Sequence, residues 1–384
     1  MPTLGPLLAA DETFHHQITD TFATVGQSDR SWTEKVCAMA CARDGSLQLA
    51  FGIGKYINRG IMDTYAGISR GVEQWTVRAS RELGARPDTT AVGPITYEVL
   101  EPLKVIRFAL APNDVVPISF EWIFEAAVPP SLEHREHHRS RDGFRLDADI
   151  VRYHQTGRGS GWADVDGVRT ELTDWVSTRD HSWGVRYQVG AVPADLIPTP
   201  VPDGVAMLVN WCPVLCRRPD GSEYALHWYY QRHALGDWSR IEMQGGVEHP
   251  DGRREPFVAL VPDLAFRDDN RRFQGGTLTM TMADGTARPL SLTAVSDTGF
   301  HLGTGLYHGF GGHAHGEWRG PLHVDGEYLP DCADPAIARR IHQHRDCVIR
   351  VEDPMGGGVG FGNLQSIVLG ADDAMGLTAE ASFL

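Results

Sequence analysis

The stretch Thr173-Asp174-Trp175-Val176-Ser177-Thr178-Arg179-Asp180-His181-Ser182-Trp183-Gly184-Val185-Arg186-Tyr187 crowds an imidazole, carboxylates, guanidinium groups and large aromatics into fifteen positions. On one regular strand, Trp175, Ser177, Arg179, His181, Trp183 and Tyr187 share a face and Asp180, Ser182 and Arg186 share the other. A face that mixes aromatics with a cation and a titratable imidazole suits a pocket, because packing alone avoids buried polar groups. A His-Asp pair can give and take protons near neutral pH, and Trp and Tyr faces stabilise positive charge. The plainer reading is a buried pair that braces the sheet. In a regular strand His181 and Trp183 face one way and Asp180 the other, which ranks the first two as the groups that touch substrate, unless a bulge turns all three inward.

A second constellation is His313-Ala314-His315-Gly316-Glu317. On a strand, 313, 315 and 317 project from one face and form a facial set for zinc or iron; the same groups also serve as metal-free pocket lining or as surface residues. Cys37/Cys41 and Cys212/Cys216 lack the two-residue knuckle spacing of zinc sites and read as reduced core thiols. Gly67-Ile68-Ser69-Arg70-Gly71 matches the serine-hydrolase string, but an alternating strand follows it where a helix is needed. Gly52-Ile53-Gly54 and Gly356 to Gly362 fail the dinucleotide and P-loop patterns and read as tight bends.

The elements that position these groups are β-strands. Asp-Gly pairs at 44, 142, 166, 220, 251, 284 and 325 separate short runs rich in β-branched and aromatic residues, the mark of hairpins. Alternation is plain in Gly276 to Met282 and in Phe144 to Ile150. A helix is predicted from Asp334, with Pro335 at its first position, and a second from Asp11 to Val25. Glu133 to Arg141 is charged throughout and reads as a solvated loop.

A chain of 384 residues implies two domains at about 150 residues each. The proline-rich run Val192 to Gly204 divides it into 1–195 and 196–384. A net charge of -15 with no basic, aromatic-interleaved stripe argues against nucleic acid as a partner. No run of about 18 apolar residues occurs, so no membrane insertion is expected, and the N-terminus lacks a signal-peptide pattern, which makes the cytoplasm the expected compartment. A homodimer is left open.

Asp180-His181-Ser182-Trp183-Gly184, preceded by the Gly161 to Gly167 hairpin and followed late in the chain by His315-Gly316-Glu317-Trp318, resembles the signature of the carotenoid 1,2-hydratase and AttH-like superfamily, which includes the fungal kievitone hydratases. The resemblance implies an all-β chain of two lipocalin-like barrels packed around an apolar cavity, and hydration of an alkene, with cycloaddition by similar tandem barrels. It assigns acid or base, partner and aromatic wall to Asp180, His181 and Trp183, and points to Tyr229 or Tyr230 for the family's tyrosine. Trp175, Tyr187, Arg179, His313, His315 and Trp318 are expected to line the substrate site. The expected activity is a cofactor-independent hydratase or hydro-lyase of a terpenoid, steroid-like or phenolic compound. An isomerase or cyclase, a non-catalytic carrier and a metal enzyme built on His313, His315 and Glu317 are the other readings.

Overall fold

The computed structural model describes residues 12, 14, 26–84, 89–140, 143–187, 189–190, 203–341 and 343–380. The expected helix from Asp11 to Val25, Glu12 and Phe14 apart, and most of the proline-rich boundary lie outside the described residues.

The chain is all-β. Its first half supplies β1 (Trp32–Cys41), β2 (Gln48–Tyr56), β3 (Ile61–Arg70), β4 (Glu73–Glu82), β5 (Ala91–Val92), β6 (Ile95–Glu101), β7 (Val105–Leu110), β8 (Ile118–Ala126), β9 (Ser131–Leu132), β10 (Glu136–Arg139), β11 (Leu146–Val165) and β12 (Val168–Val185). The second half supplies β13 (Val205–Arg217), β14 (Glu223–Leu235), β15 (Trp238–Glu248), β16 (Arg254–Phe266), β17 (Phe273–Met282), β18 (Ala287–Ala294), β19 (Phe300–His301), β20 (Leu322–Leu329), β21 (Arg345–Asp353) and β22 (Gly358–Leu369). The helix α1 (Pro335–Ile341) begins where expected, with the Asp334 carboxylate accepting from the Ala336 and Ile337 amides.

Two antiparallel sheets result. The second closes on itself in the order β18-β17-β16-β15-β14-β13-β22-β21, with β18 pairing β21. The first runs β20-β4-β3-β2-β1-β12-β11-β8-β7-β6-β5 and nearly closes, its two ends meeting where Gly93 packs against Val324. The second half thus lends β20 to the first barrel. Asp325-Gly326 is therefore no hairpin turn: it lies inside β20, where a Cβ on Gly326 would stand 2.5 Å from the Thr76 carbonyl oxygen of β4. The other Asp-Gly pairs whose two residues are described, at 44, 166, 220, 251 and 284, do join consecutive strands.

Each barrel has its own apolar core. The first is filled by Phe51, Phe108, Trp122, Trp175 and Phe14, the second by Trp228, Tyr224, Tyr230, Phe273 and Met280. In β17, Leu278, Met280 and Met282 point inward and Thr277 outward, as the alternation predicts. Phe144 departs from its pattern and is exposed, because β11 begins only at Leu146. Met39, Cys41 and Val176 of the first barrel meet Leu215 and Val348 of the second. The wall that carries the chemistry, β1, β12 and β11, is thus covered on one side by its own barrel and on the other by the second barrel. That double covering explains why β12 is buried on both faces from Trp175 to Arg179.

Among the described residues no helix is long and apolar enough to cross a membrane.

Candidate functional site between the barrels

The pairing of β12 with β1 runs in unbroken register, Val36 opposite His181 and Cys37 opposite Asp180. No bulge intervenes, so the two motif residues face opposite ways.

The inward face forms a buried polar knot. Arg179 makes a two-pronged ion pair with Glu12, 2.7 Å at each oxygen, and also donates to Gln155. The Tyr97 and Tyr153 hydroxyls donate to the same carboxylate at 2.8 and 3.0 Å. Burial pushes the Glu12 carboxyl up, but the Arg179 charge and hydrogen bonds more than offset it and hold the group at about 2. His181 is fully buried, with Nδ1 3.1 Å from the Tyr153 hydroxyl and Nε2 3.0 Å from the Glu34 carboxylate. Phe14 and Trp183 pack against its ring at 5.4 and 5.7 Å. His181 therefore braces the wall from inside the barrel, on the face opposite Asp180. Gly184 closes the motif for a backbone reason: its φ is +134°, and a Cβ there would stand 1.9 Å from the Asp149 carbonyl oxygen.

The outward face holds Asp180. Its carboxylate lies 3.7 Å from Arg152 and 3.5 Å from the Ser182 hydroxyl, to which Arg186 donates. Lys35 and Cys37 of β1 share this face. Lys35 donates to His315 Nε2 at 3.1 Å and sits 3.9 Å from the centre of the Tyr307 ring. The Tyr307 hydroxyl is 3.1 Å from Cys37 Sγ, and Asp63 stands 3.8 Å from His315 Nδ1. Burial pushes the Asp180 carboxyl up, opposed by Arg152 and assisted by Glu133. Burial also lowers Lys35 to about 8 and, with Lys35 beside it, His315 to about 4. Asp180, Arg152 and Tyr307 are only partly buried. The arrangement offers a carboxyl raised by burial on the same face as Lys35, which in turn meets the His315 imidazole and the Tyr307 ring.

The other expected site residues scatter. Tyr229 joins the outward network, its hydroxyl donating to Gln231 at 2.9 Å and Glu136 at 3.3 Å, whereas Tyr230 points into the second barrel's core. Trp175 is core of the first barrel, about 17 Å along β12 from Asp180 at 3.3 Å per residue. It borders a surface cleft of about 570 Å³ that also holds Arg43 and Asp174, away from the proton-donating groups. Tyr187 and Trp318 are half-exposed. His313, His315 and Glu317 lie on a loop after a 3-10 turn, not on a strand; His313 pairs with Glu317 at 3.2 Å while His315 turns to Lys35. They do not converge, so the facial metal set, one of the three readings of this motif, does not form.

Glu133 to Ser140 is solvated only in part, with His134, Arg135, His137 and Arg139 exposed, and it is not all loop. Glu136–Arg139 is a strand, and Glu133 is buried, accepting from Arg152 and from the Trp211 indole. Sequence reasoning also missed Glu12, Glu34, Lys35, Asp63 and Tyr307. One signal was present: the chain has only three lysines, and two of them, Lys35 and Lys55, sit in strands among apolar residues.

Two lipocalin-like barrels packed against each other, with titratable side chains on the facing wall, define the class of protein. The chain belongs to a family described as a family of unknown function (DUF8625), whose profile matches residues 7–378. No curated protein matches it. Among solved structures, it is similar to an AttH-like protein of Nitrosomonas europaea at a TM-score of 0.51 and 12% identity, over 87% of this chain and 91% of that one. CghA matches at 0.45 and 10%, over 88% and 89%, and kievitone hydratase from Nectria haematococca at 0.41 and 11%, over 89% and 90%. The likeness to the Nitrosomonas protein is one of fold.

Proposed function

We propose that the protein is a hydratase or hydro-lyase acting on a carbon–carbon double bond of an apolar terpenoid, steroid-like or phenolic molecule, held between the barrels beside Asp180. The observation that carries this reading is the Asp180 carboxyl, raised by burial and partly accessible, on one face with Lys35 and near the neutral His315 and the Tyr307 ring. The filled interior of the first barrel supports placing the substrate between the barrels and not inside that one.

In the hydration direction, Asp180 gives its proton to one alkene carbon and positive charge develops on the other. An aromatic face stabilises that charge by roughly 0.5–2 kcal/mol. Water adds to the cationic carbon, and its surplus proton passes to a base, for which the Asp63-His315-Lys35 chain is the candidate. Elimination is the same path reversed. An isomerase or cyclase would use the same donors without net water, and a carrier would use only the space.

Extraction of the purified protein and mass spectrometry of what it carries identifies the compound class. Turnover of that compound to a species heavier or lighter by one water, lost in Asp180→Asn, is the expected result. A compound returned unchanged, and bound equally by wild type and Asp180→Asn, would establish the carrier instead.

A further inference from the structure

Across the register from Asp180, on the same face of the shared wall, stands His154 of β11. Its Nδ1 is 3.0 Å from Glu133 Oε1 and its Nε2 is 2.9 Å from Glu248 Oε1 of the second barrel. His227 of β14 stacks on it, ring centres 3.5 Å apart and planes 19° from parallel. All four side chains are almost wholly buried, at 0 to 3% exposure. Neither ring nitrogen of His227 has a hydrogen-bond partner, although Nε2 points to within 3.6 Å of Glu133 Oε1. A buried imidazole left without any partner calls for an explanation.

We propose that Glu133, His154 through Nδ1 and His227 through Nε2 are the protein ligands of a divalent transition-metal ion, zinc foremost, seated between the barrels. The three ligand atoms lie within 4.8 Å of one another. In a tetrahedral site with bonds of about 2.0–2.1 Å, neighbouring ligand atoms stand about 3.3 Å apart; the 3.0 and 3.6 Å separations from Glu133 bracket that value, and the His227 ring, 19° from parallel with His154, would tilt out of the stack to aim its Nε2 lone pair at the ion. Imidazole nitrogen and carboxylate oxygen are the donors zinc accepts, and three protein ligands leave a fourth position for water.

The surroundings have the form that metal sites need. Glu248 takes the far nitrogen of His154, the arrangement that fixes a ligating imidazole's tautomer. Glu133 is oriented by the Trp211 indole at 2.7 Å and by Arg152 at 3.1 Å. The ligands come from the β9 to β10 connection, from β11 and from β14, so the ion would tie one barrel to the other. Without it, His154 carrying a hydrogen on both nitrogens donates to the two carboxylates but leaves His227 unserved. The three ligands are not among the groups assigned to proton transfer, so metal binding is tested apart from the hydratase reading.

The test is elemental analysis of untagged, full-length protein purified without chelators, followed by zinc and cobalt(II) titration of the chelator-stripped protein. About one ion per chain is expected, with a cobalt spectrum characteristic of nitrogen and oxygen ligands. His227→Ala should weaken cobalt binding by more than about 100-fold, and Trp211→Phe, which keeps all three ligands, by about 10- to 100-fold. Trp211→Phe decides the matter if His227→Ala does not fold by circular dichroism. His313→Ala, in the motif that fails to converge, should bind as wild type does. Stripped wild type that takes up neither ion, a folded His227→Ala that binds as tightly as wild type, an unaltered affinity in Trp211→Phe, or loss of binding in His313→Ala overturns the proposal.

Discussion

Asp180 and His181 are consecutive on β12, yet His181 meets Glu34 at 3.0 Å inside the first barrel while Asp180 faces Arg152 at 3.7 Å on the side of the second. One residue therefore belongs to the scaffold of the first barrel and the other to the face turned toward the second, and the two should answer to different assays.

Asp180→Asn should leave the fold and ligand binding intact and lower turnover by about 10²–10⁴-fold, the usual contribution of a positioned general acid. His181→Ala should act first on stability, since it strips the buried Tyr153 hydroxyl and Glu34 carboxylate of a partner, at about 1–3 kcal/mol each. Urea unfolding and turnover measured on both variants check the division.

Glu12→Gln should destabilise the protein by about 3–5 kcal/mol at neutral pH, because it leaves the Arg179 guanidinium buried without its counter-charge. The folded carboxyl, at about 2, lies below its ordinary 4.5. Its contribution is therefore complete above pH 4.5 and is lost as the pH falls toward 2. The stability gap between wild type and variant, read from urea midpoints, should narrow steadily over that interval.

His315 runs the other way in charge and the same way in pH. Burial and the neighbouring Lys35 hold it at about 4, below its ordinary 6.5, so the folded state resists its protonation. Stability should be full above pH 6.5 and decline as the pH drops toward 4. His315→Gln, which stays neutral, should show a shallower decline in melting temperature between those values.

Gly326→Val places a branched side chain where β20 lies against the Thr76 carbonyl and the Val115 side chain. A loss of about 1–3 kcal/mol is expected from this overpacking. Hydrogen exchange should show faster exchange along β4 and β20 while the second barrel's strands keep their protection. An unaffected β4 would mean that the lent strand does not close the first barrel.

Tyr229→Phe and Tyr230→Ala separate the two tyrosines that adjacency in sequence makes equivalent. The first removes a hydroxyl from the junction network and should cost little stability. The second empties part of the second barrel's core and should cost about 3–5 kcal/mol.

Much of this architecture could be read from residue order alone. Asp-Gly turns, period-two alternation and the Asp334-Pro335 helix start depend on neighbours in the chain, and local backbone sterics and capping act over that range. The divergence of Asp180 from His181 followed from the same period of two. Which of them would be inside did not, because that depends on the register of β12 against β1 and on which side the second barrel covers the wall. The partners that define each face come from far away in the chain: Glu12 for Arg179, Glu34 for His181, His315 for Lys35, and His227 for His154. No spacing rule links such pairs. The sequence by itself determined a β-rich chain with a strand of alternating chemical character, and the closing and packing of two barrels decided that Lys35 meets His315 on the face that carries Asp180 while Arg179 and His181 are sealed within.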